Sequence, residues 1–220
     1  MKYIIVPAKG MDIRKYPKGH VYQGHGENIE LYRSAVKIQN CGLFDCALHG
    51  HNGIDCAMKE GTPILATTGT IVDVKDTPTG YGKHVRILTD MDENGDMFEL
   101  TYGHLKDITT ALGMKVKDGQ VIGTMGNSGF VISGGTSYWG NAPAGKGVHL
   151  HLTARNMTKN ETHWKQTYPT GAVAYIKDYD NGTFGSVDPI PFLKVAVQLT
   201  IISLANQVVD LLTKLLTLKK

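Results

Sequence analysis

Residues 148–154 read Val148-His149-Leu150-His151-Leu152-Thr153-Ala154, and polar and apolar side chains alternate through most of this stretch. Such alternation predicts a β-strand with one face buried. Side chains two positions apart point to the same face of a strand, so His149 and His151 project together, opposite the leucines. Two imidazoles on one face can converge on a single small ligand. The stretch therefore predicts both a half-buried strand and part of a binding site.

The chain before this strand shows further short runs of the same kind, separated by turns. Glycine accounts for 26 of 220 residues, well above the usual ~7%. Asn94-Gly95 is a hairpin signal between two of the runs. The pattern predicts a mainly β domain with antiparallel strands. The other predicted strands cover 70–75, 83–89, 97–104 and 116–123.

The hairpin turn also carries Asp90, Asp92 and Asn94 at the spacing that begins an EF-hand calcium loop. The twelfth position of that loop would be Thr101, where a bidentate glutamate is needed. The flanking segments are predicted strands rather than helices. A plain hairpin turn is therefore the favoured interpretation.

Composition and charge exclude several classes of protein. With 41% hydrophobic and 20% charged residues in 220, the chain is neither disordered nor a polytopic membrane protein. A net charge of +3 is too small to indicate nucleic acid binding, and we expect no nucleic acid partner. The first residues contain no apolar h-region and no small-residue cleavage site, so no Sec signal peptide is visible. We expect a protein that is made in the cytoplasm and leaves by another route if it acts outside.

The last part of the chain changes to a helical period. From Val197 to Leu218 apolar residues recur at steps of three and four, with polar residues on the other side. This predicts an amphipathic α-helix over 194–220, after a domain that covers 1–193. Polar residues within it argue against a transmembrane span. Three roles stay open: packing on the domain, self-association with a second copy, and contact with a membrane surface.

Three cysteines, Cys41, Cys46 and Cys56, form no C-x-x-C pair, so a thiolate zinc site is not expected. Reduced or buried thiols are the favoured interpretation, and Cys56 is expected to serve packing. A disulfide between Cys41 and Cys46 stays open for an oxidising compartment.

Two further places carry donors of the kind that bind metals. His51 and Asp55 flank an Asn-Gly bend, which can fold two donors toward one point. His104 ends a predicted strand, where alternation puts it on the same face as Phe98, Leu100 and Tyr102. Imidazole and carboxylate ligands without a thiolate suit zinc, and three protein ligands leave a fourth position for water. These residues therefore indicate a catalytic zinc site, against the weaker alternative of unrelated histidines.

Two other histidines need separate interpretation. His49 competes with His51, because His49-Gly50-His51 is itself an H-x-H, although the register with Gly53 and Asp55 favours His51. His84 has the parity of Arg86 in its predicted strand and is expected to be exposed.

In this order along the chain, these motifs resemble the lysostaphin/LytM-type peptidases, the M23 family of zinc peptidoglycan endopeptidases. The resemblance runs from about residue 20 to residue 193, and several of its motifs are specific. Its main stretches are His51-Asn-Gly-Ile-Asp-Cys-Ala, Gly80-Tyr-Gly-Lys-His-Val-Arg-Ile, Tyr102-Gly-His-Leu, Gly126-Asn-Ser-Gly, His149-Leu-His-Leu and Val187-Asp-Pro-Ile-Pro-Phe-Leu, with Tyr22-Gln-Gly-His-Gly-Glu-Asn upstream.

The resemblance implies a role for each candidate side chain. His51, Asp55 and His151 would hold Zn²⁺, and His104 and His149 would be the unligated pair beside a water molecule. It implies an antiparallel β-sheet that forms the floor of a groove, with loops as its walls. The implied substrates are peptides of bacterial peptidoglycan, either stem peptides or cross-bridges.

Residues 130–147 form a longer stretch than many family members have before the H-x-H. We expect this stretch to build one groove wall, with Tyr138 and Trp139 as substrate contacts, and a plain surface loop is the alternative. Tyr102 is a third expected substrate contact.

The expected function is that of a zinc-dependent endopeptidase acting on the cell wall, as a phage endolysin or another released, antibacterial lysin. The alternative is a non-enzymatic domain that binds peptidoglycan or regulates another hydrolase. Relatives of that second kind typically lack ligands, whereas this chain has all of the expected ones.

Overall fold

The computed structural model describes residues 2–35, 47–140 and 142–195, together with Val208. Its elements are dominated by short strands, with a single-turn 3-10 segment at Ile190–Phe192. The elements are β1 (Ile4–Ile5), β2 (Val21–Gln23), α1 (Ile29–Ala35), β3 (Ile54–Cys56), β4 (Pro63–Leu65), β5 (Gly69–Lys75), β6 (His84–Thr89), β7 (Asp96–Gly103), β8 (Leu105–Ile108), β9 (Lys115–Val116), β10 (Val121–Met125), β11 (Val131–Ser133), β12 (Thr136–Tyr138), β13 (Leu150–Thr158), β14 (Trp164–Thr167), β15 (Val173–Ile176), β16 (Ser186–Val187) and β17 (Leu193–Lys194).

The largest sheet follows the order β14-β15-β13-β7-β6-β5-β9, with β16 and β3 paired to β13 and β2 paired to β3. Its strand pairs are antiparallel. A smaller sheet has the order β4-β10-β8, β11 and β12 form a hairpin, and β1 pairs with β17 in parallel. The prediction of a mainly β, antiparallel fold is therefore confirmed.

Alternation along β7 and β13 separates an apolar face from a polar face. On one face of both strands the apolar side chains are fully buried in the main core, where each large one contributes roughly 1.5–3 kcal/mol on burial. They are Phe98, Leu100 and Tyr102 of β7 and Leu150, Leu152 and Ala154 of β13. The opposite face of β13 carries His151, Thr153 and Arg155. The functional side chains therefore lie on the face of the sheet that is not used for the main core.

A buried charge cluster holds this polar face together away from the histidines. The Glu99 side chain accepts hydrogen bonds from Arg155 Nη1 at 3.2 Å and from the Tyr168 hydroxyl at 2.7 Å. Burial opposes ionisation of Glu99, but Arg155, Arg86 and these hydrogen bonds outweigh it and lower the pKa of the carboxyl. The cluster thus links β7, β13 and the end of β14.

The Asn94-Gly95 hairpin turn is confirmed. Gly95 has a φ of 76°, a conformation that glycine adopts without the Cβ penalty. Asp92 Oδ1 accepts hydrogen bonds from the backbone N–H groups of Asn94 at 2.9 Å and Asp96 at 3.2 Å. The carboxylate therefore stabilises the turn, as the plain hairpin interpretation requires.

The predicted C-terminal helix over 194–220 lies outside the described residues, apart from Lys194, Val195 and Val208. Its predicted start is wrong, because Lys194 belongs to β17 and its carbonyl accepts a hydrogen bond from Val6 N–H at 2.9 Å. Pairing with the N-terminal strand β1 therefore keeps Lys194 in an extended conformation. In the part of the chain that is described, no helix is long and apolar enough to cross a membrane.

Candidate metal centre

Three donors meet where β3 pairs with β13. In that register Asp55 lies directly opposite His151, so both side chains point to the polar face of the sheet. His51 comes four residues earlier, across the bend that precedes β3. Within the described residues, these are the His, Cys, Asp or Glu side chains that come close enough in a group of three to share an ion.

The three ligand atoms form a small triangle. His151 Nδ1 lies 2.9 Å from both His51 Nε2 and Asp55 Oδ1, and His51 Nε2 lies 3.2 Å from Asp55 Oδ1. Donors bound to zinc at ~2.0–2.1 Å in a tetrahedral arrangement would lie about 3.3 Å apart. All three side chains are buried. The spacing therefore suits one tetrahedral ion.

The second nitrogen of each imidazole is already used. His51 Nδ1 donates to the carbonyl oxygen of Gly24 at 3.1 Å, and His151 Nε2 lies 2.8 Å from the Thr153 hydroxyl. The outward nitrogen of each ring is therefore held by a polar partner, as is usual for histidines that bind metals. The inward nitrogens, His51 Nε2 and His151 Nδ1, both face Asp55 Oδ1.

The ionisation of the group agrees with cation binding. Burial opposes ionisation of Asp55, but His149, His151 and His51 outweigh it and hold the pKa of the carboxyl well below its usual range. Burial lowers the pKa of His151 to about 4, so its imidazole is neutral at pH 7. Metal ligands must be deprotonated, and these two are.

His149 lies beside the triangle without being part of it. Its backbone N–H donates to the carbonyl of Gly126 at 3.0 Å, which fixes the entry to β13. Its Nδ1 donates to the carbonyl of Gly147 at 2.8 Å, and its Nε2 lies 3.7 Å from Asp55 Oδ1. The imidazole therefore directs its Nε2 toward the three donors.

His104 reaches the same place by a change of backbone conformation. Its φ is 59°, a left-handed conformation that is uncommon for a residue with a side chain. The ring lies 4.5 Å from that of His149 and 6.0 Å from that of His151, centroid to centroid. The prediction that His104 shares the face of Phe98 and Leu100 is therefore wrong, because the left-handed residue ends the alternation of β7.

The imidazole of His104 is held and kept neutral by its surroundings. Its Nδ1 donates to the carbonyl of Ser128 at 2.8 Å, and its backbone N–H donates to the carbonyl of Tyr81 at 2.7 Å. Burial, with His149 and His151 nearby, lowers the pKa of His104 well below its usual range. A non-glycine residue in a strained conformation at such a site is typical of functional positions.

The competing histidines lie elsewhere. His49 is exposed and packs against Gly182, so the structure places His51, and not His49, among the three donors.

His84 is only 4% exposed, so the prediction of an exposed side chain is wrong. The prediction that His84 lies on the same face of the sheet as Arg86 is confirmed, but the Tyr81 ring packs against the imidazole, with ring centroids 5.7 Å apart. Alternation gives the face of a sheet, whereas burial depends on what covers that face.

The three expected substrate contacts have different surroundings. Tyr102 is fully buried in the main core, so the prediction that it contacts substrate is wrong. Trp139 is 65% exposed and lies against Phe130, with ring centroids 4.2 Å apart. Tyr138 is half-buried at the end of β12. Tyr138 and Trp139 therefore stay available to a ligand.

The 130–147 stretch is attached to the domain by hydrogen bonds. The Asn127 side chain donates to the carbonyls of Ala142, Pro143 and Lys146 at 3.3, 3.1 and 2.9 Å. Backbone N–H groups of Phe130 and Gly140 donate to the carbonyls of Gly80 at 3.0 Å and Pro78 at 2.7 Å. The hairpin β11-β12 thus packs beside the turn that carries Tyr81.

Three tyrosines near the donors were not predicted as site residues. Ring centroids lie 5.8 Å apart for Tyr22 and His149, 5.4 Å for Tyr32 and His51, and 5.1 Å for Tyr81 and His151. Asn52 Nδ2 donates to the Tyr81 hydroxyl at 2.6 Å. Tyr22 and Tyr81 occur within stretches that carry the family resemblance, but nothing in a single sequence shows that they meet the histidines. Tyr32 lies in α1, which has no sequence signal of its own.

Cys56 is a free, buried thiol in the main core, as the packing interpretation predicts. Burial and the nearby Asp55 raise its pKa to about 12, so it is not a thiolate at neutral pH. Cys41 and Cys46 lie outside the described residues.

Comparison with known proteins places these residues in a family. The model of peptidase family M23 matches residues 49–163, which is more than half of the chain. Glycyl-glycine endopeptidase ALE-1 of Staphylococcus capitis is 30% identical over 158 residues, which cover 70% of this chain and 33% of that protein. DD-carboxypeptidase/endopeptidase Mpg of Neisseria meningitidis is 32% identical over 105 residues, 48% of this chain and 20% of that protein. The chain therefore matches a third or less of the length of these relatives.

Two solved structures are similar to parts of this chain. The catalytic domain of the prophage-encoded M23 protein EnpA from Enterococcus faecalis is 32% identical with a TM-score of 0.37, covering 48% of this chain and 68% of that one. The catalytic domain of lysostaphin from Staphylococcus simulans is 22% identical with a TM-score of 0.41, covering 66% of this chain and 79% of that one.

Proposed function

Because the chain belongs to peptidase family M23, we propose that it is a zinc-dependent endopeptidase that hydrolyses peptide bonds in bacterial cell-wall peptidoglycan. The observation that carries the proposal is the convergence of His51, Asp55 and His151 on one point, with His104 and His149 beside it. The activities of the relatives, a glycyl-glycine endopeptidase and a DD-carboxypeptidase/endopeptidase, support a peptide substrate of the cell wall.

The donor set supports zinc as the metal. Two neutral imidazoles and one carboxylate, with no thiolate, form a ligand set that catalytic zinc uses, and it leaves a fourth position open. We assign His51 Nε2, Asp55 Oδ1 and His151 Nδ1 as the ligand atoms. When bound, zinc would supply Lewis acidity to a water molecule and to the peptide carbonyl.

His104 and His149 are proposed to move the proton. Each donates its Nδ1 hydrogen to a backbone carbonyl, so each presents an Nε2 lone pair to the centre. One of the two accepts the proton of the attacking water and then delivers it to the leaving amine. The other accepts a hydrogen bond from the same water molecule and orients it for the attack.

Several neighbouring residues would hold this arrangement in place. The Gly24 carbonyl and the Thr153 hydroxyl set the tautomers of His51 and His151. Tyr22 and Tyr81 pack against His149 and His151, which limits rotation of the imidazoles and excludes water. A metal site whose ligands are oriented by such partners keeps its geometry during the reaction.

The proposal is tested by zinc content and digestion measured together. We expect about one zinc per purified chain, and release of peptide fragments from peptidoglycan that stops with a chelator and returns with zinc. Digestion of several peptidoglycans, some with glycine cross-bridges and some with direct cross-links, would identify the bond that is cleaved. One zinc per chain without cleavage of any wall would favour a non-enzymatic binding or regulatory domain. Absence of zinc after reconstitution would show that the ligand set is wrong.

Trp139 and Tyr138 are proposed to contact the substrate from the β11-β12 hairpin. Trp139→Ala is expected to raise KM for peptidoglycan roughly tenfold and to leave zinc content unchanged, because an exposed ring on a rigid support contributes binding rather than chemistry. Trp164→Ala is the matched control, since Trp164 is also exposed but stacks on Tyr179. Equal KM values for Trp139→Ala and the unmodified protein would exclude this contact.

A further inference from the structure

Two polar residues of β6 lie on the same face of the sheet as the candidate metal centre. Arg86 is opposite Thr101, which is opposite Thr153 of β13, and His84 precedes Arg86 by two positions. The Tyr81 ring contacts both His84 and His151, at 5.7 and 5.1 Å between centroids. Two strand spacings, or roughly 10 Å, therefore separate His84 from the metal ligand. An extended peptide covers that distance with about three residues.

His84 has a buried acceptor without a donor. Its side chain is 4% exposed, and Nδ1 donates to the carbonyl of Gly82 at 2.9 Å. Burial lowers the pKa of His84, so the imidazole is neutral and Nε2 carries a lone pair. That Nε2 has no hydrogen-bond partner among the described residues. A buried acceptor of this kind is destabilising unless something donates to it.

Arg86, in contrast, has a buried hydrogen-bond donor without an acceptor. Its Nε is buried and makes no hydrogen bond within the described part of the chain, and its nearest carboxylate oxygen, Asp73 Oδ2, is 3.9 Å away. Asp73 instead pairs with Lys75 Nζ at 3.1 Å. Both oxygens of Glu99 are occupied by Arg155 and Tyr168. The guanidinium therefore has donors to spare.

Arg86 is also accessible and lies in a region of positive charge. Its side chain is 19% exposed, so part of the guanidinium reaches solvent. Around it the described charges are Lys75, Arg86 and Arg155 against Asp73 and Glu99, an excess of one positive charge. Planar guanidinium groups bind carboxylates with two parallel hydrogen bonds. The missing partner is therefore an anion of this shape.

We propose that Arg86, next to the buried His84, forms a subsite that binds a free carboxylate of the peptide substrate, with the exposed part of the guanidinium donating to the carboxylate. The C-terminal residue of a peptide and an acidic side chain both offer such a carboxylate. The subsite rests on the proposed function for the identity of its ligand. It holds the substrate at a fixed distance from the scissile bond and so selects among peptidoglycan peptides.

The test compares matched peptides on the zinc-loaded full chain, with binding and cleavage measured separately. One cross-linked stem peptide is made in three forms: with all carboxylates free, with the C-terminal carboxylates amidated, and with the side-chain carboxylates amidated. Calorimetry is done on an uncleavable version in which the scissile amide is N-methylated. We expect amidation at the recognised position to weaken binding about tenfold or more, which also shows whether a terminus or a side chain is bound. Equal affinity for all three forms would overturn the proposal.

Arg86→Gln tests whether this residue makes the distinction. The variant is expected to bind the acid and amide forms within about twofold of each other, while Arg14→Gln keeps the preference because Arg14 is a surface arginine paired with Asp12. Arg86→Lys is the second variant for the case in which the glutamine variant does not fold. It keeps the charge without the planar fork, and we expect an intermediate preference. Full preference for the acid in a folded Arg86→Gln protein would assign the carboxylate to another group.

Failure of this subsite and failure of the proposed function give different results. Cleavage without any acid preference would leave the endopeptidase in place and exclude the subsite. Acid preference that depends on Arg86, in a protein that cleaves no peptide, would establish the subsite and exclude the enzyme.

Discussion

Asp55→Asn is expected to lower both zinc affinity and peptidoglycan cleavage by more than roughly a hundredfold. The change keeps the size of the side chain but removes the one negative charge among the three ligands. Loss of a hydrogen-bond partner outside the ligand set typically costs 10–100-fold in metal affinity, and loss of a charged ligand costs more. The measurements are zinc per chain after dialysis and the rate of peptide release, both at a fixed free zinc concentration.

Asp118→Asn is the matched control for this prediction. Asp118 is also a structural carboxylate, accepting hydrogen bonds from Thr68 N–H at 2.7 Å and from the Tyr3 hydroxyl at 2.6 Å, but it is not part of the donor group. Its loss is expected to lower the free energy of unfolding by about 1 kcal/mol and to leave zinc content at the unmodified level. Full zinc retention by folded Asp55→Asn would remove Asp55 from the ligand set.

His149→Ala is expected to retain zinc and to lose turnover by about 10²–10⁴-fold. His149 Nε2 faces the centre, while its Nδ1 is held by the Gly147 carbonyl. Removing a positioned proton acceptor affects the chemical step and leaves the three metal donors in place. The measurements are zinc per chain, kcat and KM on a soluble cross-linked peptide.

The control for His149→Ala is His163→Ala, which removes an imidazole from the turn after β13. We expect this variant to match the unmodified protein in both measurements. Zinc loss from His149→Ala would make His149 a ligand, and an unchanged kcat would assign the proton transfer to His104 alone. Together with Asp55→Asn, the variant separates the residues that hold the metal from those that move the proton.

The alternation of polar and apolar residues was sufficient to predict the central strand β13. Alternation predicted that His149, just before β13, and His151 within it face away from the core, and the leucines of this strand are fully buried in the core. The same argument placed β5, β6 and β7, because a half-buried strand in an antiparallel sheet has a period of two. The motifs around His51, Tyr102 and His151 indicated the family, which the match over residues 49–163 confirms.

The same reasoning failed where one residue departs from the strand conformation or where another segment covers a face. His104 was predicted on the core face, but its φ of 59° turns the side chain toward His149. His84 was assigned to the correct face and to the wrong environment, because Tyr81 packs over it. Tyr102 was expected to contact substrate and instead fills the core.

The sequence by itself therefore determined the fold class, the family and the chemical identity of the candidate metal donors, since period, motif spacing and ligand chemistry are local properties. Only the tertiary structure decided how these donors meet. The distance between His51 and His151 depends on the register of β3 against β13, and the tautomers depend on Gly24 and Thr153. The tyrosines around the centre and the unpaired groups of His84 and Arg86 are likewise set by contacts between segments far apart in the chain. Such contacts carry no period and no motif, because their energy comes from packing in three dimensions rather than from the residues adjacent in sequence.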